Sequence, residues 1–356
     1  MKTIFEPVEL GNLRIKNRIV RSATLEAGGA VNGVIAPLLK DIYAGLAEGG
    51  VSLIITGMMG VGHNSCAYSG MNRIYDSTFS DRFADVAETV HAKGSKITVQ
   101  LGQCGAKATV IEKGNQPYAP SECEAIPNLP AKAMSQSEIG QVVNDFGDAA
   151  LLCKNAGADA VQIHAAHGYL LSQFLSPLFN KRQDEYGGSI ERRGRIVLEV
   201  YENIRKKVGA DYPVLIKINY SDLKASGLTG DESTWVCQEL AQRGIDAVEL
   251  SSGIAIDAES KPSQAVADFS KGSFSNAALK LSSDVPVPVI SVGGYRTPDT
   301  IENVLNQGDI AAVSLCRPLI CEPALVTRWE NGDRTKAKCI SCNKCFGTAY
   351  GCKGFV

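Results

Sequence analysis

The sequence predicts an α/β fold: one (β/α)8 TIM barrel with an N-terminal hairpin cap and a short cysteine-rich C-terminal tail. Two observations lead to this prediction. Eight short runs of apolar and β-branched residues recur along almost the whole chain, and amphipathic stretches of helical length separate most of them. Continuous apolar strands that alternate with helices indicate parallel pairing, with helices covering the sheet. Eight such units favour a closed barrel over an open sheet.

The predicted elements follow one another in regular order. The eight strand runs are 19–24, 51–57, 96–102, 159–166, 213–220, 247–253, 288–294 and 311–317. The helical stretches are 37–48, 81–93, 135–156, 169–175, 189–208, 233–243 and 298–307. Ser135 and Glu138 have the spacing of a capping box, and Pro298 suits the first turn of a helix.

The two ends of the chain differ from this pattern. Residues 1–18 predict a hairpin that turns at residues 9–12 and closes the N-terminal end of the barrel. Residues 1–330 are therefore interpreted as one barrel domain and residues 331–356 as a separate cysteine-rich tail.

Charge and hydropathy argue against several classes of partner. The chain has 36 Lys and Arg residues against 38 Asp and Glu residues, so no basic surplus exists to neutralise a nucleic acid. The first residues lack the apolar segment of a secretory signal, and the apolar run 51–61 is too short to cross a bilayer. We therefore expect a cytoplasmic protein that binds a small molecule and neither nucleic acid nor membrane. For the oligomeric state, the sequence is compatible with a homo-oligomer.

Cysteine is abundant, and its placement is uneven. Four of the 11 cysteines crowd into the tail as Cys339, Cys342, Cys345 and Cys352, in a CxxCxxC…C pattern. Disulfide frameworks belong mostly to small secreted chains, so the thiols are expected to be reduced. Four thiolates at such spacing are candidates for zinc or an iron–sulfur cluster, and a tail that binds neither stays an alternative.

The strongest local signal follows the fourth run. His164 and His167, two of only four histidines, stand three positions apart at a predicted strand-to-helix turn. In a helical turn such side chains face the same way, so both imidazoles are expected to converge on one ligand atom and polarise a carbonyl. A pair of buried core histidines and a metal-binding pair are the alternatives, although no third ligand with suitable spacing is evident.

The segment around these histidines resembles a known family. Residues 164–177, followed by Asn180, Arg182, Asp184, residues 186–189 and Arg192, are similar to the signature of the Old Yellow Enzyme family of FMN oxidoreductases. Further matching residues spread the resemblance over about residues 1–330. It implies an FMN-dependent enzyme, reduced by NAD(P)H, that reduces the activated C=C bond of α,β-unsaturated carbonyl or nitro compounds.

The resemblance also assigns roles to individual residues. It implies that His164 and His167 hold the substrate oxygen, and that Tyr169 or water supplies the proton. Ser22, Ala23 and Thr24 end the first run, where the family's chain approaches the flavin ring. The remaining implied cofactor-binding residues are Gln100, Lys217, Gly293, Gly294, Cys316 and Arg317.

Three of these roles also have a physical reason. A glutamine amide such as Gln100 pairs with both donors and acceptors of a flavin edge. Lys217 places a cation inside an apolar strand, which is costly unless it meets an anion. Gly293, Gly294 and Arg317 fall in the loops after strands seven and eight, where barrels of this class bind phosphate.

Three features depart from the family pattern. Leu25 stands where many relatives carry cysteine or threonine near the flavin. Met58, at the end of the second run, is bulkier than the small residue that many relatives carry at that position. The tail resembles the cluster-binding segment of larger dienoyl-CoA reductase relatives, but its third and fourth cysteines are spaced differently.

Two other classes of function compete with the ene-reductase hypothesis. A metal-dependent barrel lyase or hydrolase would use His164 and His167 as ligands. A flavin protein that senses redox state or binds partners would act through its cysteine tail.

Overall fold

The computed structural model describes residues 1–26, 28–31, 33–111, 115–254, 273–345 and 351–354. Its centre is a closed parallel barrel, as predicted. Each strand pairs with the next one along the chain, and β3 pairs with β4 while β8 pairs with β1 to close the ring. The barrel strands are β1 Ile19–Arg21, β2 Leu53–Ile55, β3 Lys96–Gly102, β4 Ala160–Ala165, β5 Val214–Asn219, β6 Ala247–Ser251, β7 Val289–Val292 and β8 Ile310–Leu315.

Helices surround the barrel close to the predicted positions. They are α1 Pro37–Glu48, α2 Ser77–His91, α3 Gln136–Asn155, α4 Leu170–Leu175, α5 Ile190–Arg193, α6 Arg195–Val208, α7 Gly230–Gln242, α8 Ser273–Asp284, α9 Pro298–Gln307, α10 Arg317–Cys321 and α11 Leu325–Glu330. The predicted helix 189–208 is interrupted at Gly194, which separates α5 from α6. The predicted helices 81–93 and 233–243 begin earlier than expected, because Asp76 and Thr229 cap them.

Short strands outside the barrel complete the described structure. Val8–Leu10 pairs with Leu13–Ile15, and Ala30–Val31 pairs with Val34–Ile35, both antiparallel. Met59–Val61 and Arg73–Ile74 extend the barrel sheet beyond β3. Tyr118–Ala119, Cys123–Ile126 and Leu129–Ala133 form a small sheet in the connection from β3 to α3, which the sequence did not predict.

The N-terminal hairpin closes one end of the barrel, as expected. Leu10, Leu13 and Ile15 are buried in the same apolar cluster as residues from the N-terminal half of the barrel strands. Its turn is anchored by Asp246, whose carboxylate accepts a hydrogen bond of 2.9 Å from the amide of Asn12. The opposite end, where the strands finish, is therefore the end available for a ligand.

The inside of the barrel changes character between its two ends. The layer next to the hairpin is apolar and contains Val20, Leu53, Leu215 and Ile290. The layer at the C-terminal ends of the strands contains buried polar side chains, namely Ser22, Gln100, Gln162, His164, Lys217, Glu249, Ser291 and Ser314. Barrel interiors are usually filled by branched apolar residues, so this polar layer marks the functional end. Within the described residues, no helix is long and apolar enough to span a membrane.

Candidate active site

An ion pair lies at the centre of the polar layer. Lys217 on β5 and Glu249 on β6 occupy paired positions on adjacent strands, and Lys217 Nζ lies 3.1 Å from Glu249 Oε1. Both side chains are almost fully buried, at 4% and 0% exposure. Lys217 also donates to Ser22 Oγ at 2.8 Å. The cation predicted from the sequence therefore has a resident carboxylate partner, which the sequence analysis did not identify.

Further hydrogen bonds stabilise the Glu249 carboxylate. Ser22 and Ser314 donate to Oε1 at 2.7 and 2.6 Å, and Gln162 donates to Oε2 at 2.9 Å. Burial alone would raise the pKa of Glu249, yet this pKa is lowered, because Lys217 and these three donors favour the ionised form. Glu249 is thus a fixed negative charge beneath the barrel mouth.

The network reaches Gln100 through a second glutamine. Gln100 Nε2 donates to Gln162 Oε1 at 2.7 Å, and these two residues lie side by side on β3 and β4. In the described part of the chain, no hydrogen bond uses the side-chain oxygen of Gln100, so an acceptor remains for a ligand.

The two histidines meet as predicted, but through a different backbone geometry. Their ring centroids lie 5.1 Å apart with the planes nearly perpendicular. The expected helical turn is wrong: His164 lies on β4, α4 starts only at Leu170, and His167 has a left-handed φ of 62°. The left-handed residue turns the chain back towards the strand, so the second imidazole returns to the first.

The neighbours of the rings determine their protonation. Burial, followed by the repulsion of nearby Lys217 and Lys107, lowers the pKa of His167 to about 3. Burial, the other imidazole and the same two lysines lower the pKa of His164 well below its ordinary value. Both rings are therefore neutral at pH 7, and each has one donor and one acceptor nitrogen.

The hydrogen bonds also fix the tautomer of His164. Its Nδ1 accepts from the amide of Ala166 at 3.3 Å, so Nε2 carries the proton and is a donor. His167 Nε2 lies 2.7 Å from the hydroxyl of Ser251 at the end of β6, and its amide donates to Asn219 Oδ1 at 3.3 Å. Strand ends of β5 and β6 thus orient the second imidazole.

Tyr169 completes the cluster on one side. Its ring centroid lies 5.3 Å from that of His164. Burial, together with the nearby Cys104 thiol, raises the pKa of Tyr169, so the phenol keeps its proton at neutral pH. Lys107, which the sequence analysis did not identify, has Nζ 5.5 Å from the centre of the Tyr169 ring.

The remaining predicted cofactor residues lie around the same mouth. Ser22 joins the central network, Ala23 is half-buried, and Thr24 Oγ1 lies 3.1 Å from Cys316 Sγ. Leu25 is 46% exposed. Met58 packs against Gly102 beside His164, since a Cβ at Gly102 would lie 2.2 Å from Met58 Sδ and 3.5 Å from His164 Cβ. The expected effects of Leu25 and Met58 on a cofactor pocket stay predictions.

The predicted phosphate loops carry glycines and cations. Gly293 and Gly294 both have positive φ, 115° and 80°, a conformation that glycine adopts readily. Arg317 follows β8 as the first residue of α10 and donates to Asn343 Oδ1 at 2.8 Å. One loop thus offers backbone in a glycine-type conformation and the other a guanidinium, on the same side of the barrel.

The tail packs behind these loops. Arg296 donates to the carbonyl of Cys339 at 3.2 Å and to the hydroxyl of Ser341. Cys339, Cys342, Cys345 and Cys352 line one small cavity together with Arg317. Cys321 belongs to the same corner, because its thiol contacts that of Cys352. Among the described residues, no three metal-binding side chains are arranged to hold an ion.

Some side chains of the site were not predicted from the sequence, and the sequence marks them with unequal clarity. Glu249 interrupts an apolar strand with a charge, which is the same argument that selected Lys217. Ser251 and Asn219 stand at strand ends, where barrel enzymes place functional groups. No sequence feature distinguished Lys107 from a surface residue, because a lysine in a loop is usually solvated.

Comparison with known proteins decides the family. The model of the NADH:flavin oxidoreductase / NADH oxidase family matches residues 3–336. The chain belongs to this family. It is 34% identical to an NADH oxidase of Thermoanaerobacter brockii over 96% of its own length, but spans only about half, 52%, of that relative.

Solved structures agree on the fold. An Old Yellow Enzyme homologue from Zymomonas mobilis has a TM-score of 0.79 at 26% identity, with 94% of each chain covered. Morphinone reductase in complex with tetrahydroNAD has a TM-score of 0.78 at 28% identity, covering 93% of this chain and 91% of the other. The predicted resemblance to the Old Yellow Enzyme family, and with it an FMN- and NAD(P)H-dependent class of oxidoreductase, is confirmed. The division at residue 330 stays a prediction.

The neutral histidines generate a prediction about stability. Their folded-state pKa values lie below the unfolded value of about 6.5, so the unfolded chain binds protons that the folded chain does not. Their contribution to stability is complete above pH 6.5 and is lost as the pH falls towards 3. Replacing both, as His164→Asn with His167→Asn, should reduce the loss of unfolding free energy between pH 7 and pH 5 by about 2 kcal/mol for each histidine, or on the order of 4 kcal/mol in total.

Urea unfolding of both proteins at each pH measures this difference. The control is the interval from pH 7 to pH 8, where the two proteins should change in parallel. Equal losses between pH 7 and pH 5 would mean that the imidazoles are protonated in the folded protein.

Proposed function

We propose that this protein is an FMN-dependent NAD(P)H oxidoreductase that reduces the activated C=C bond of α,β-unsaturated carbonyl or nitro compounds. The observation that carries the proposal is the pair of neutral imidazoles beside a buried phenol at the mouth of a barrel lined with cofactor-type donors. Family membership supports the redox chemistry and argues against the metal-dependent lyase or hydrolase.

The donor set suits FMN. A flavin needs donors and acceptors at its pyrimidine edge, a positive charge near the ring and a cradle for phosphate. Gln100 would serve the pyrimidine edge, Lys217 would provide the charge, and Ser22, Ala23 and Thr24 would border the ring. Gly293, Gly294, Cys316 and Arg317 would surround the phosphate. When bound, FMN supplies a two-electron carrier that accepts hydride from NAD(P)H and donates it to the substrate.

The chain's own residues activate and protonate the substrate. His164 Nε2–H would donate to the carbonyl or nitro oxygen, with the neutral His167 ring beside it. Such donors accelerate the reaction because their bonds strengthen as negative charge develops on that oxygen. Tyr169, held as a neutral phenol, would deliver the proton to the α-carbon.

A spectrum of the purified protein tests the proposal directly. The protein with bound FMN should be yellow, should lose its flavin absorbance anaerobically with NADH or NADPH, and should regain it on addition of 2-cyclohexen-1-one. Absorbance that NAD(P)H bleaches but no enone or nitroalkene restores would contradict the proposed substrate class.

The histidine pair is tested by His164→Ala combined with His167→Ala. The rate of flavin reoxidation by the enone should fall at least about 10³-fold, since loss of one such donor typically costs 10²–10³-fold. FMN content should be retained. The matched control is His91→Ala, a partly exposed histidine that is hydrogen-bonded to Asp159. Near-normal reoxidation by the double variant would rule out the imidazoles as activating donors.

The ion pair predicts shifts of opposite sign in flavin potential. Lys217→Met removes a cation that favours the anionic reduced flavin, so the midpoint potential should fall. Glu249→Gln removes the opposing charge, so the potential should rise. Ser314→Ala, which keeps both charges and removes one hydroxyl, is the matched control and should shift it less. Shifts of the same sign, measured by reductive dye titration of folded proteins, would contradict this electrostatic role.

The tail should affect FMN affinity through Arg317. Asn343→Ala removes the hydrogen bond that orients the guanidinium. The Kd for FMN, measured by fluorescence quenching, should rise about 2- to 10-fold, the range expected for one hydrogen bond. Lys344→Ala alters the neighbouring exposed residue and should leave the Kd unchanged. Equal effects of both variants would show that Asn343 does not position Arg317.

A further inference from the structure

Lys107 lies at the edge of the proposed substrate pocket. It ends a short 3-10 turn, Gly105–Lys107, just beyond the C-terminal end of β3. Its Nζ donates to the backbone carbonyl of His167 at 3.0 Å and lies 5.5 Å from the centre of the Tyr169 ring. Gly168 makes room for it, because a Cβ there would lie 2.9 Å from Nζ. The ammonium group therefore borders the backbone of one proposed catalytic residue, His167, and the side chain of another, Tyr169.

The two lysines near the histidines differ in their partners. Lys217 is neutralised by Glu249 at 3.1 Å. Among the described residues, no carboxylate lies within 4 Å of Lys107 Nζ, and its hydrogen bond goes to a neutral carbonyl. Burial lowers the pKa of Lys107 to about 8, so most of the molecules still carry the charge at pH 7. A half-buried cation without a counterion is costly, which is typical of a group that meets an anion from a ligand.

We infer that Lys107 anchors an anionic group of the substrate, so that the preferred substrate is an α,β-unsaturated carbonyl compound that also carries a carboxylate. This inference rests on the proposed function. The ketone or aldehyde oxygen would lie on the histidines, and the carboxylate would lie on the Tyr169 side of the pocket. Lys107 would act as a specificity determinant.

The anchored group takes no part in the bond changes. Hydride adds to the β-carbon and a proton adds to the α-carbon, so the C=C bond becomes a C–C bond while NAD(P)H is oxidised. The carboxylate stays ionised and unchanged on the ammonium group. A separate activating carbonyl is required, because an ionised carboxylate withdraws electrons poorly from the double bond.

The proposed function would bring a second oxyanion into the same pocket. The diphosphate of NAD(P)H has similar chemistry and would also be attracted to the ammonium group of Lys107. The position of Lys107 against His167 and Tyr169, the residues proposed to act on the oxidising substrate, favours the substrate carboxylate. The experiment must therefore examine the two half-reactions separately.

The probes are (E)-4-oxopent-2-enoate and its methyl ester, which share the enone and differ in the charge. Wild-type enzyme with bound FMN should bind the acid more tightly than the ester in calorimetric titrations of the oxidised form. In Lys107→Met the ratio of kcat/KM for acid over ester should fall on the order of 10- to 100-fold, as expected for a hydrogen bond to a charged group. Lys107→Arg should restore much of the ratio.

Lys224→Met is the matched control, because it removes an exposed lysine from the loop after β5. It should leave the ratio unchanged, which separates a local contact from general attraction of anions. Because the acid-to-ester ratio is compared between wild type and each variant, the different intrinsic reactivity of the two probes cancels.

Several results would overturn the inference. The inference fails if wild-type enzyme binds the ester as tightly as the acid, and this result does not depend on whether the variants fold. Equal losses for acid and ester in Lys107→Met would assign the residue a structural role through His167. A weakened reductive half-reaction with an unchanged ratio would assign it to the NAD(P)H diphosphate. If 2-cyclohexen-1-one reoxidises the reduced flavin and neither probe does, the inference fails, whereas if none of the three does, the proposed function itself fails.

Discussion

The ion pair between Lys217 and Glu249 is the interaction on which the polar end of the barrel depends. Two charges inside a barrel are expensive to desolvate unless their remaining hydrogen-bonding capacity is satisfied. Ser22, Gln162 and Ser314 supply this capacity to the carboxylate. Adjacent parallel strands place the two charges in register, so β-sheet pairing alone brings them together. The barrel can then keep a cation directly below its mouth.

The same arrangement controls the histidines above it. Lys217 contributes to holding both imidazoles neutral, and Glu249 opposes it only for His167. Neutral rings donate hydrogen bonds without bringing a full positive charge, so they are suited to an oxygen whose charge appears during the reaction. In the proposed function, cofactor electrostatics and substrate activation would therefore be linked through one lysine, and a change at this position would affect both.

The fold was largely predictable from sequence because each barrel strand is buried on both faces. Runs such as 96–102 and 213–220 are rich in apolar and β-branched residues, and they alternate with amphipathic helices. Helix starts were less certain where the cap stands several residues before the apolar pattern, as at Asp76. The small sheet at residues 118–133 was missed because its strands are only two, four and five residues long and lack a long apolar run.

The site was predictable in part for an equally physical reason. Residues at strand ends, such as His164 and Lys217, can be placed by the rule that parallel strands finish at one mouth. The direction of a side chain within a loop cannot be placed in this way. The i, i+3 spacing predicted that His167 lies beside His164, yet the left-handed backbone at His167 and the hydroxyl of Ser251 are what orient it.

Lys107 and Lys217 show why residue type alone does not indicate a role. Both are lysines near the same imidazoles, and both lose much of their hydration. For Lys217 the fold itself supplies a carboxylate, so its charge is balanced before any ligand arrives. For Lys107 the described residues supply a neutral carbonyl and the face of the Tyr169 ring but no carboxylate within 4 Å, so its charge is not balanced by them. The two lysines therefore differ in their partners, which residue type does not indicate and only the folded chain reveals.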